Sequence, residues 1–186
     1  MAEDFIGQQF GPFHITEWLG GSDLFDVYMG RDLDSGLSVQ IKIISREHED
    51  DPVFDTRFRR EARAIVALSH PNIAQVLDLG ETERGHYVVS RHVEGMTLAA
   101  LLDAVRADGQ PLQGSDVTFL VRQMAAALAE AHRHGIVHRA LTPERIIVTR
   151  SGQAILTDFG LALLASPAHE GAGPGAVLGP PEYMAP

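Results

Sequence analysis

Four stretches of the chain carry side chains that could do chemistry. Leu19-Gly20-Gly21 precedes a strand-like run, Lys42 closes Val39-Gln40-Ile41-Lys42, and Asp158 opens Asp158-Phe159-Gly160. His132, His134 and His138 lie close together further along the chain. A glycine pair lets backbone approach a ligand closely, a lysine neutralises an anion, and a carboxylate holds a cation. Each stretch also has an ordinary reading: a hairpin turn, a solvated strand cation, a turn tripeptide. The histidines are not read as a metal site, because positions 132 and 134 face different sides of a helix and Gly135 ends that helix before 138. One count singles out Lys42. Of 15 basic residues it is the only lysine, and the other 14 are arginine.

The elements that must position these groups follow from pattern. Phe13, Ile15 and Trp18-Leu19 give a strand ending at Gly20-Gly21, and Asp26–Met29 gives a second. After the turn Asp34-Ser35-Gly36, Ser38–Ile44 alternates, with Val39, Ile41 and Ile43 on one face and Gln40 and Lys42 on the other. Phe54, Phe58, Ala62 and Ile65-Val66 recur at helical spacing until Ser69-His70-Pro71-Asn72 stops them. Ile73–Leu79 and Gly85–His92 complete an antiparallel meander. A short helix spans Thr97–Arg106. The clearest helix runs from Asp116 to His134, with an apolar stripe of Val117, Leu120, Val121, Met124, Ala125, Leu128 and Ala131, Ser115 as its cap and Gly135 just past its end. Ile146–Val148 and Ala154–Thr157 form a hairpin around Ser151-Gly152, and Gly, Pro and Ala dominate from Leu161 on. The plan is α+β: a five-stranded antiparallel sheet with one helix, then a mainly helical part.

Composition bounds the rest. The 186 residues are 45% hydrophobic and 22% charged, a globular profile. A net charge of −10 argues against nucleic-acid binding through a basic surface. No apolar run reaches the ~20 residues of a membrane span. The absence of cysteine excludes disulfides, thiolate metal sites and a cysteine nucleophile. A cytoplasmic location is expected.

In order and spacing, the stretches resemble the protein kinase family, and in particular the bacterial Ser/Thr kinases, from about Phe13 to Pro186. Residues 19–28 stand at the glycine-rich loop and residues 39–42 at the third-strand V-A-I-K motif. Glu61 matches the helix C glutamate, and His70-Pro71-Asn72-Ile73 the loop after that helix. Tyr87 to Leu98, with Val93-Glu94-Gly95-Met96-Thr97-Leu98, matches the hinge between lobes, and residues 138–145 match the catalytic loop. Asp158-Phe159-Gly160 matches D-F-G, and residues 179–186 the end of the activation segment. The resemblance implies a bilobal kinase-like fold. Residues 1–11 would be a loose acidic lead, 12–94 an N-lobe of five antiparallel strands with helix C, and 95–186 an incomplete C-lobe.

The resemblance also assigns roles. Lys42 would meet nucleotide phosphates and Glu61 would orient it, while Asp158 would hold Mg²⁺. Leu19, Gly20, Val27, Gln40 and Ile147 would line the nucleotide site. Yet Ala140 stands where the proton-accepting Asp belongs, Thr142 replaces the loop Lys, and Arg145 replaces the Asn that holds a second Mg²⁺. A methyl group accepts no proton, and a guanidinium ligates no metal. Ser22 and Phe25 replace the second and third glycines of the loop, Gln40 the small residue that packs on adenine, and Pro180 a segment Thr. Ser166 is the only hydroxyl side chain between Gly160 and Gly179, so activation by loop phosphorylation is not expected. His138, Phe159, Ile65 and Val76 fit the family's apolar column.

These substitutions lead to a pseudokinase with weak or no ATP binding, poor Mg²⁺ retention and action through a protein partner. One alternative is an active Ser/Thr kinase transferring the ATP γ-phosphate to a protein hydroxyl. The other is a non-functional truncated fragment, in which the 116–134 helix keeps part of its stripe uncovered and the piece is unstable.

Overall fold

A computed structural model describes residues 5–21, 25–44, 63–82, 85–159 and 183. Glu61, Ser22, most of the expected 54–66 helix, and the activation segment apart from Tyr183 lie outside the described residues. Residues 63–66, at the end of that helix, are helical. Among the described residues, the chain divides into two compact units. An N-terminal unit takes residues up to 66 together with 75–92, and a C-terminal unit takes 67–74 together with 93–159.

The N-terminal unit is an antiparallel sheet. Its strands are β1 (Gln9–Phe10), β2 (Phe13–Gly21), β3 (Phe25–Asp32), β4 (Ser38–Ile44), β5 (Val76–Thr82) and β6 (Gly85–Arg91), in the order β1-β2-β3-β4-β6-β5. Five long strands are present as expected, and β4 has the expected limits, while β5 runs Val76–Thr82 in place of the expected Ile73–Leu79. Alternation on β4 sends Val39, Ile41 and Ile43 into the core, where Ile15, Tyr28 and Val89 meet them.

One expectation fails here. The segment read as a loose acidic lead contributes Phe5 and Phe10 to the core, and Gln9–Phe10 adds a sixth, two-residue strand paired to β2. Phe10 stacks on Tyr87 with ring centroids 5.2 Å apart, and Phe5 meets Phe10 and Tyr28 edge-on at 5.8 Å. Phe5 and Phe10 make neither a helical nor a strand period with the exposed Ile6 between them, so their burial is fixed by the sheet they close over.

The C-terminal unit holds β7 (Met96–Thr97), α1 (Leu98–Asp108), α2 (Gly114–Arg133), β8 (Ile146–Val148) and β9 (Ala154–Leu156). Thr97 caps α1, its hydroxyl accepting from the Ala100 N–H at 3.1 Å. The strands β7, β8 and β9 form a small antiparallel sheet, and α2 packs against β9.

The end of α2 is as the sequence implied. Gly135 adopts φ 71°, its N–H reaches the His132 carbonyl, and the Ile136 N–H reaches that of Ala131, both at 2.9 Å. This double closure is the Schellman arrangement, and the left-handed position suits glycine. Its start differs. The helix begins at Gly114, so Ser115 lies inside it, and the N-cap is Gln113 without a side-chain bond. The expected apolar stripe is met in part: Leu120 and Ala131 belong to it, Met124 and Leu128 are half-buried, and Ala127 joins from beside it. Leu120, Ala127 and Ala131 are buried, whereas Val117 and Val121 stay exposed. Contact with β9 selects residues spaced for that strand rather than the most apolar residues.

The packing makes a test. Phe10→Ala should cost about 3 kcal/mol in urea unfolding, as for a buried aromatic truncated to a cavity. The exposed Ile6→Ala should cost under about 0.5 kcal/mol. Equal effects would show that residues 5–10 do not belong to the core.

Candidate functional site

The expected site residues fall into two groups, one in each unit. In the N-terminal unit they lie on β2, β3 and β4. Gly20 has φ 141°, a conformation that side chains rarely adopt, and it pairs with Val27 across the β2–β3 ladder. Val27 pairs in turn with Lys42 on β4, and Lys42 with Val88 on β6. Gln40 lies two residues before Lys42, on the same face, opposite the core face of Val39, Ile41 and Ile43. Leu19 is exposed at the edge of this group.

Lys42 is only 7% exposed, so it is not a solvated surface cation. A buried ammonium requires partners to offset its lost hydration. Its Nζ lies 5.0 Å from the centroid of the Phe25 ring. Phe25 stands where the resemblance places a glycine, and its aromatic face is turned to the lysine. The residue expected only to obstruct the phosphate region therefore also contacts the group meant to serve it.

In the C-terminal unit, the group forms around the turn that carries residues 138–145. Its backbone is anchored through Thr157. The Thr157 N–H and hydroxyl both donate to the Arg145 carbonyl, at 2.9 and 3.2 Å. The Thr157 carbonyl accepts from His138 Nε2 at 2.8 Å. His138 and Phe159 meet edge-on at 4.7 Å, as expected for two members of the apolar column. Thr157 was not read as a site residue. Only its place beside Asp158 marked it.

Ala140 and Thr142 are both buried, at 5% and 7% exposure. The Thr142 hydroxyl bonds to the Glu144 carboxyl and holds it below the usual carboxylate range. Ile147 pairs with Thr97 and Ile155. Asp158 and Arg139 are the non-glycine residues with positive φ among those described, at 65° and 61°. Such backbone costs of order 1–3 kcal/mol each and concentrates at functional sites.

A second set of bonds supports the hairpin beneath this turn. Asn72 Nδ2 donates to Gln123 Oε1 at 2.8 Å and to the Ala154 carbonyl at 2.7 Å, and the Ala154 N–H donates to Gln123 Oε1 at 3.1 Å. Asn72, read only as part of a helix stop, is thus a buried strut between α2 and β9. Among the described residues, no three His, Asp or Glu side chains converge as a metal site. His134 instead sits against Glu130, its Nδ1 3.3 Å from Oε1.

Burial pushes the His138 imidazole below its ordinary value, and the Arg145 guanidinium adds to this. The bond to the Thr157 carbonyl and the Asp158 carboxylate oppose it. With Nε2 donating to Thr157, the neutral ring carries its lone pair on Nδ1, which is buried without a partner. Because the folded form holds its proton less tightly than an unfolded histidine of pKa ~6.5, this contribution is full above that pH. It is lost as pH falls through the folded value. Urea midpoints should therefore drop from pH 7.5 to pH 5, and His138→Phe should flatten the drop. An unchanged slope in the variant would remove His138 as its source.

Comparison with known proteins agrees with this arrangement. The model of the protein kinase domain family matches residues 13–186. Serine/threonine-protein kinase PrkC of Bacillus subtilis is 37% identical over 158 residues, covering 84% of this chain and 24% of that protein. Serine/threonine-protein kinase PknD of Mycobacterium tuberculosis is 38% identical over 181 residues, covering 97% of this chain and 26% of that protein. The chain thus spans about a quarter of the length of these curated relatives. The solved kinase domain of Mycobacterium tuberculosis PknI superimposes with a TM-score of 0.71 at 28% identity, over 83% of this chain and 62% of that one. No helix among the described residues is long and apolar enough to cross a membrane. By its matched residues, its fold and its relatives, the chain belongs to the protein kinase domain family, alongside bacterial serine/threonine kinases.

Proposed function

We propose that this kinase domain is a pseudokinase: it retains a weak nucleotide site, does not transfer phosphate, and acts by binding a protein partner in the cytoplasm. The single observation that carries the reading is the state of the turn 138–145. Its two ends are tied to Thr157 through the His138 ring and the Arg145 carbonyl, yet the position for proton acceptance holds Ala140, a buried methyl group. Loss of a general base costs ~10²–10⁴-fold in rate. Thr142 supplies a hydroxyl, already bonded to Glu144, where a cation would steady the transferring phosphate.

The family generally uses ATP with Mg²⁺. Lys42, Asp158 and the apolar Val27 and Ile147 are the groups of this chain that support a remaining role for ATP, with Leu19, Gly20 and Gln40 beside them in the assignment. Glu61 would orient Lys42, as the resemblance implies. Mg²⁺ fits poorly. Asp158 offers one carboxylate, but Arg145 brings a positive charge with no acceptor atom, and its Nη1 is buried without a partner. No step of the proposed function therefore runs through the metal.

The test is a radiolabelled phosphotransfer assay with a generic protein substrate, comparing the natural chain with Lys42→Ala. Transfer should be equal in both, at background. Activity in the natural chain above the Lys42→Ala control would establish a working kinase instead.

A further inference from the structure

The poor fit of Mg²⁺ has a positive counterpart in Arg145. The base of this side chain is fixed, because its own carbonyl takes two bonds from Thr157, the residue directly before Asp158. The residue as a whole is half-buried, while Nη1 is fully buried and has no acceptor among the described residues. A guanidinium is five donors on a permanent charge, with nothing in it that can bind a cation. The Glu144 carboxylate lies near enough to feel this charge, yet it leaves Nη1 without an acceptor among the described residues. A partly buried guanidinium with a donor left unmatched, close along the chain to a carboxylate ligand position, suits an anion that can set two oxygens against its planar fork, which a phosphate group supplies in bidentate fashion.

We propose that Arg145 takes the place of the divalent cation, so that its guanidinium binds phosphate oxygens of a nucleoside di- or triphosphate directly and binding needs no Mg²⁺. This rests on the reading that a nucleotide site is retained. The two cations differ in consequence. A metal ion arrives with the nucleotide and bridges it to carboxylates. Arg145 is part of the chain, always charged, and competes with Mg²⁺ for the same oxygens. Free ATP is then a better ligand than its magnesium complex.

Isothermal titration with ATP in EDTA and in excess Mg²⁺ tests this on the natural chain, Arg145→Asn and Arg145→Lys, with circular dichroism to verify folding. The natural chain should bind ATP in EDTA at least as tightly as with Mg²⁺. Arg145→Asn should bind at least ~10-fold more weakly in EDTA, the equivalent of about 1.4 kcal/mol, and recover with Mg²⁺. Arg145→Lys, which keeps the charge, should remain independent of Mg²⁺. A natural chain that binds ATP only with Mg²⁺, or an Arg145→Asn chain unchanged in EDTA, would overturn the role of Arg145 and leave the nucleotide site standing. Absence of ATP binding in both buffers would overturn both.

Discussion

The geometry of the C-terminal group depends on one residue, Thr157, through its N–H, its hydroxyl and its carbonyl. It donates twice to the Arg145 carbonyl and accepts once from His138 Nε2, so both ends of the 138–145 turn are tied to the strand end that leads into Asp158. These bonds add to the packing of the short 3-10 turn at Pro143–Arg145 against α1 and β7, and to the burial of Ala140 and Thr142, in fixing the course of the stretch. Next to these ties, Arg139 and Asp158 adopt left-handed backbone that only surrounding structure can maintain. The chain keeps the backbone of a catalytic loop around positions whose side chains no longer suit catalysis.

That separation has a physical basis. The scaffold is held by main-chain bonds, by the His138–Phe159 ring contact and by the Asn72–Gln123 strut, none of which involves Ala140 or the Arg145 guanidinium. Ala140 and Thr142 are buried, so a small apolar group and a hydroxyl with a bonded partner are accommodated where a charged Asp or Lys would need compensation. Chemistry can be lost at such positions without loss of fold.

Much of this was legible in the sequence, for reasons that differ by element. Alternation gave β4 with its limits, because one of its faces is wholly core. Gly135 announced the end of α2, because the left-handed closure there suits glycine. Motif order located Lys42, Ala140, Thr142, Arg145 and Asp158. What escaped depends on contacts between distant parts of the chain. Phe5 and Phe10 gain their place only from Tyr28 and Tyr87, the face of α2 is chosen by β9, and the bonds of Thr157 obey no period. The contact of Phe25 with Lys42 likewise arises from strand pairing, since alignment gave only a bulky residue at a glycine position.

The central claim is that the scaffold stands and that the side chains at 140, 142 and 145 are what stop phosphate transfer. It is tested most directly by the rate of ATP-dependent phosphate transfer in Ala140→Asp/Thr142→Lys/Arg145→Asn beside the natural chain, at equal concentration with Mg²⁺. A gain of at least ~10²-fold is expected in the substituted chain. Equal rates in the two chains would contradict it.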